Sequence, residues 1–145
     1  MPTFDFTMGI LDFKRNVVAI VDELVPTTAL TYVQGWGAIP YTETYPCAVV
    51  KAVEPTIYET DSSCGIRETL SLTVRVFIDT QNNLSAEDQR LDLVDKLRDK
   101  LLQYRNSIPN VLMLDLVSTE PFDLDEQRPL IGFSLNVRGI ILTDF

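Results

Sequence analysis

The stretch "IRETLSLTVRVFID", residues 66–79, constrains the fold more than any other part of the chain. Apolar and polar residues alternate along it, a period that fits a strand with two unlike faces. Leu70, Leu72, Val74, Val76 and Ile78 share one face, and Thr69, Ser71, Thr73 and Arg75 share the other. A long strand with one apolar face needs neighbouring strands beside it and a second layer above it. The preceding runs "CAVVKAV" and "TIYE" supply a partner strand interrupted at Pro55, and "TDSSCG" supplies a turn. Together they predict an antiparallel hairpin whose second face is partly wet.

Two segments have helical spacing and fit the covering layer. In residues 10–24, Ile10, Phe13, Val17, Ile20, Val21 and Leu24 recur on one face. Lys14 lies near that stripe, where its stem can pack, and Pro26 stops the helix. The second helix starts at Ser85, read as an N-cap with Asp88 closing a capping box, and ends near Arg105. Leu93, Val94, Leu97, Leu101 and Tyr104 form its apolar face, and Asp92–Lys96 is an i,i+4 pair.

Two further strands follow. The first is "VLMLDLVST" at 111–119. The second is "LIGFSLNVRGIILTDF", with Ile131, Phe133, Leu135 and Val137 facing one way. The predicted class is α+β, one domain over 1–145. It has a mainly antiparallel sheet of about four strands with two helices packed on one side, in the order α-(loop)-β-β-α-β-β. The region 27–46 is a long loop rich in aromatics and turn formers, with a short strand at 30–33 as an option.

The composition removes several functional classes. The chain has no histidine, so imidazole bases, Ser-His-Asp and Cys-His nucleophile pairs and His metal sites are all excluded. Its net charge of −9 repels phosphate backbones and favours solubility. Two cysteines, Cys47 and Cys64, do not make a disulfide framework. Whether they approach each other depends on whether the chain reverses near Pro55 or Ser62. No apolar run approaches the roughly 20 residues of a membrane span. The segment "MPTFDFTMGILDF" lacks the basic start of a secretory signal, so a cytosolic site of synthesis is expected.

Asp79, at a strand end facing a helix start, occupies the position of many α/β active sites. Its neighbours Thr80, Gln81, Asn82 and Asn83 offer no base or metal triad, so it is read as a turn former. Glu87 and Asp88 suit a helix N-terminus. Cys64 has Arg67 as its only nearby cation and is read as a turn cysteine. Asp123, Asp125 and Glu126 lack the spacing of a calcium loop. Trp36, Tyr41 and Tyr45 either cap the domain's own core or make an intersubunit contact.

Three blocks then stand in a recognisable order. "YPCAVV" opens a strand, a turn leads to "ETLSLTVRVFID", and a short polar linker meets "SAEDQRLDLVDKLRDKLL". With a helix at 10–24 before them and a strand at 130–142 after them, the chain resembles the tail-terminator (tail-completion) proteins of long-tailed bacteriophages. The resemblance covers most of the chain and is one of element order; 31–46 and the acidic loop 120–128 have no counterpart in it.

The resemblance implies a structural virion protein, not an enzyme. It implies a hexameric ring at the head-proximal end of the tail, ending tube polymerisation and docking the neck. The partners implied are further copies of the chain, the tail tube protein, a neck or connector protein, and a sheath protein where the tail is contractile. DNA would pass through without tight binding, and neither membrane, metal nor cofactor is involved. The protein would belong to the virion, and to the host cytoplasm during assembly. Trp36, Tyr41 and Tyr45 become candidate interface residues, and Glu59, Asp61, Asp123, Asp125 and Glu126 candidate acids facing the channel. Another neck component, such as a head–tail adaptor or stopper, is an alternative. A small carboxylate-based enzyme is an alternative of another class, which requires paired acids in a concave pocket.

Overall fold

The computed structural model describes residues 2–25, 30–41, 44–52, 55–61, 65–81, 83–123 and 129–144. The elements are helix α1 (Ile10–Asp22), strands β1 (Tyr32–Gln34), β2 (Cys47–Ala52), β3 (Ile57–Asp61) and β4 (Gly65–Asp79), helix α2 (Ala86–Gln103), and strands β5 (Met113–Asp123) and β6 (Leu130–Asp144). The alternating run is therefore β4, and it pairs antiparallel with β6 along its whole length, from Gly65↔Asp144 to Asp79↔Leu130.

The sheet has six strands in the order β1-β2-β4-β6-β5, with β3 also paired to β4. The four-strand expectation is corrected at two places. The run interrupted at Pro55 makes two strands. β2 pairs with the Leu72–Phe77 part of β4, and β3 with its Gly65–Thr69 part, both antiparallel. The optional strand before the aromatic loop forms as β1, shorter than expected and parallel to β2. The observed order is α-β-β-β-β-α-β-β.

The phase of the alternating runs holds. Leu70, Leu72, Val74, Val76 and Ile78 enter the main core with Phe133, Leu135 and Val137 of β6. Both helices cover this face, contributing Phe13, Val17, Ile20 and Val21 from α1 and Leu93, Leu97 and Leu101 from α2. No described helix is long and apolar enough to cross a membrane.

Among the described residues no helix packs on the opposite face. At one end it holds a smaller cluster of Cys47, Val49, Phe77 and Leu130, with Tyr32, Tyr45 and Phe122 packed against it. Its middle is polar, although Ser71 and Thr73 are more buried than a wet face suggests, and its far end carries the exposed Ile57 and Met113. Burial pushes the Cys47 thiol up to about 12, so it stays protonated. Cys64 lies outside the described residues.

The capping box is a second correction. Ser85 precedes α2 but makes no side-chain cap, and its φ of −106° and ψ of 20° depart from the extended geometry of an N-cap. Its hydroxyl donates to Asn83 Oδ1 at 3.3 Å instead.

A buried asparagine, Asn16, fixes the N-terminal segment on α1. Its amide exchanges hydrogen bonds with the backbone of Asp5 at 2.8 and 2.9 Å and donates to Thr7 Oγ1 at 3.0 Å. At the far end of α1, Tyr104 donates to Glu23 at 2.7 Å, and Lys100 lies 3.5 Å from the same carboxylate.

Candidate assembly surface

The junction after β4 is a joint. The Asp79 carboxylate accepts the Gln81 N–H at 2.8 Å, closing a local turn. Asn83 donates both to the Asp79 carbonyl at 3.1 Å and to Gln89 Oε1 at 2.9 Å, tying strand end to helix start. Thr80 donates its N–H and its hydroxyl to the Pro129 carbonyl, at 2.8 and 2.7 Å. Arg90 locks the other side. It pairs with Asp123 at 3.0 Å and with Glu87, and donates to the carbonyls of Phe122 and Gly132. The Asn83, Thr80 and Arg90 bonds hold the start of α2 against the sheet.

The aromatic loop has a buried organiser that the sequence did not single out. Gln34, 1% exposed at the end of β1, donates to the carbonyls of Trp36 and Ile39 and accepts the Tyr41 N–H at 3.0 Å. Gly37 turns the chain with a φ of +73°, where a side chain is strained. Arg75 reaches from β4 to the Ala38 carbonyl at 3.2 Å. The loop is thus pinned from inside, and its rings point out. Trp36 and Tyr41 stack with centroids 4.6 Å apart, and are 54% and 67% exposed. Tyr45 separates from them and packs on the Cys47–Phe77 cluster.

Of the candidate acids, Glu59 and Asp123 lie far apart. Glu59 is exposed on β3, near the tip of the hairpin arm that ends at Asp61. Asp123 lies at the other end of the sheet, opposite Ile131. Through the ladders Glu59 lies level with Arg67 of β4 and Asp123, by way of Ile131, with Ile78, so at about 3.3 Å per residue roughly 35 Å of β4 separates them. Asp123 is moreover engaged by Arg90. Asp125 and Glu126 lie outside the described residues, as does the side chain of Asp61.

The open sheet face has two adjoining hollows of about 230 and 380 Å³. Between them Thr73 donates to Asn136 at 2.8 Å and Asn136 donates to Ser118 at 2.8 Å, a side-chain chain across three strands. Arg75 lies over the rings of Phe77 and Phe122, at 5.1 and 4.8 Å from their centroids. Burial lowers the Arg75 pKa, though a guanidinium stays charged at neutral pH. Among the described residues Glu120 is the one acid lining the two hollows, whereas a carboxylate enzyme requires paired acids. Among the described residues no cluster of three or more His, Cys, Asp or Glu could hold a metal.

These features define an α+β domain with one helix-covered face, one open polar face and a stiffened aromatic corner. No protein-family model and no curated protein matches the chain. Among solved structures, a chain of the "Virion of native gene transfer agent (GTA) particle" has a similar fold. Its TM-score is 0.66 over 94% of this chain and 100% of that one, at 11% sequence identity. Likeness at that identity shows a shared fold.

Proposed function

We propose that this protein is a structural component of a phage-like virion. In this reading it forms a hexameric ring at the head-proximal end of the tail, ends tube polymerisation and joins tail to neck. The observation that carries the virion role is the fold likeness, end to end, to a chain of a gene transfer agent virion. The tail-terminator role adds the order of elements in the sequence, from the helix at 10–24 to the closing strand.

The partners are other copies of the chain, the tail tube protein and a neck or connector protein, with a sheath protein in a contractile tail. Trp36 and Tyr41 are the interface residues in this reading, because a stacked, exposed aromatic pair on a pinned loop gives contact area at little entropic cost. Tyr45 belongs to the chain's own second cluster.

Native mass measurement and negative-stain imaging of the purified protein test the proposal. Closed rings whose population rises with concentration are expected. A monomer at every concentration, with no ring in the presence of tail tube protein, overturns the terminator reading.

A further inference from the structure

The two lateral edges of the sheet are unlike and complementary. At one edge, β1 pairs with β2 only over Cys47–Val49, so among the described residues Val50, Lys51 and Ala52 have no ladder partner on that side. The start of α1 and the Gly35–Gly37 turn wall this gap into a groove of about 220 Å³, lined in part by Leu11, Lys14, Trp36 and Lys51. Leu11 and Trp36 are exposed apolar side chains. Lys14 and Lys51 are the charged lining residues, and neither forms an ion pair among the described residues.

At the opposite edge, Leu112, Met113 and Val117 are exposed apolar side chains on and before β5. Exposed Asp115 and Glu120 are interleaved with them, again without an ion pair among the described residues. The bulge at Leu116/Ser118 and Pro121 break the regularity of the far half of β5, which guards it against arbitrary strand addition. Met113–Leu116 is the regular part.

We propose that these edges are the two halves of one contact between copies of this chain. The β5 edge of one copy seats in the α1–β2 groove of the next. Asp115 and Glu120 meet Lys14 and Lys51, and Met113 and Val117 meet Leu11 and Trp36. Groove against groove, or edge against edge, brings like charges together, so the charges select the head-to-tail pairing. The two halves lie at opposite ends of the strand order, and contacts between unlike surfaces are what close subunits into rings. The inference deepens the ring reading and rests on it.

A charge swap tests it. The groove variant is Lys14→Glu/Lys51→Glu, and the edge variant is Asp115→Lys/Glu120→Lys. All four positions are at least partly exposed, so both variants should keep the wild-type far-UV spectrum and melting profile. Each variant alone should associate at least tenfold more weakly than wild type. An equimolar mixture should regain assembly, because each acidic surface then meets a basic one, and an even-numbered ring can alternate the two variants.

Variants that assemble like wild type, or a mixture that stays dissociated, overturn the contact and leave the ring reading standing. Open chains in place of rings, with the swap behaving as expected, uphold the contact and overturn the ring reading. Strict monomers in wild type and mixture overturn both. If all rings form normally but the groove variant no longer joins tails, the groove takes a strand of a different virion protein and the self-contact is wrong.

Discussion

The Phe13 ring fills the space where a side chain at Gly139 would begin. A Cβ built on that glycine lies 2.6 Å from two ring carbons. Gly139 pairs with Leu70 on one side and Leu114 on the other, so the ring sits on the sheet between long neighbouring strands. Phe13 is fully buried there. Gly139→Ala must therefore displace α1, at a cost of about 1–3 kcal/mol. Urea denaturation should show it as a lower midpoint, and Phe13→Leu in the same chain should recover part of the loss. An unchanged midpoint for Gly139→Ala would place the ring elsewhere.

Tyr104 and Glu23 couple stability to acid. The Tyr104 hydroxyl bond, then the Lys100 charge, holds the Glu23 carboxyl below its usual range against the opposing effect of desolvation. A carboxylate with a depressed folded pKa stabilises fully above its unfolded value and loses that contribution as pH falls through the folded value. Tyr104→Phe keeps the ring against Phe4 but removes the donor. The variant should melt below wild type at neutral pH, and the two curves should converge below the folded Glu23 value. A gap of constant size down to that pH would mean that packing, not the bond, is lost.

Strand periodicity carried the fold as far as periodicity can. β4 and β6 were legible because each presents a clean apolar face, and α1 because its stripe is continuous from Ile10 to Leu24. β1 was only an option, since three residues carry no period and a ladder to β2 is a tertiary fact. Ser85 looked like a cap, but Asn83 took over the joint by reaching Gln89. The exposed aromatics were visible in the sequence as rings among turn formers. Gln34 was not, because its three backbone partners converge only once the loop has folded back. Nor could the sequence place Lys51 and Asp115 toward opposite sides of the sheet, since that depends on strand order.

Val76 tests the strand phase most directly. It is 1% exposed and lies opposite Phe133 in the ladder. Val76→Asp buries a carboxylate without a partner, a cost of several kcal/mol in a domain stable by about 5–15 kcal/mol. Loss of cooperative folding by circular dichroism is expected. A soluble variant with a normal melting transition would contradict the position of the core.

Trp36 and Tyr41 stand outside both apolar clusters, stacked on each other. Replacing both by alanine should leave the melting temperature within a few degrees of wild type, since exposed positions contribute little to folding. Association should weaken by at least tenfold in sedimentation equilibrium, the size of effect expected from an aromatic contact. Loss of folding and association together would show that the pair supports the loop and not the interface.

The passage of DNA supplies the last prediction, which depends on the ring. A basic channel wall would hold the duplex through counterion release, and the net charge of −9 per chain opposes this. Glu59 is the cleaner probe of an acidic lumen, because Asp123 is committed to Arg90 and its reversal would also loosen α2. Glu59 is exposed on β3 and pairs in register with Arg67 of β4. Glu59→Lys should preserve ring formation, as an exposed charge contributes little to stability. If the hairpin arm faces the channel, one new cation per subunit gives the ring a girdle of positive charge. The variant ring should then retain duplex DNA at low salt and release it as salt rises, with a slope of about −0.9 for each phosphate neutralised. Wild-type rings should retain none in the same series. A variant ring that ignores DNA at low salt means the arm points away from the channel, and tight binding by wild type would refute an acidic lumen altogether.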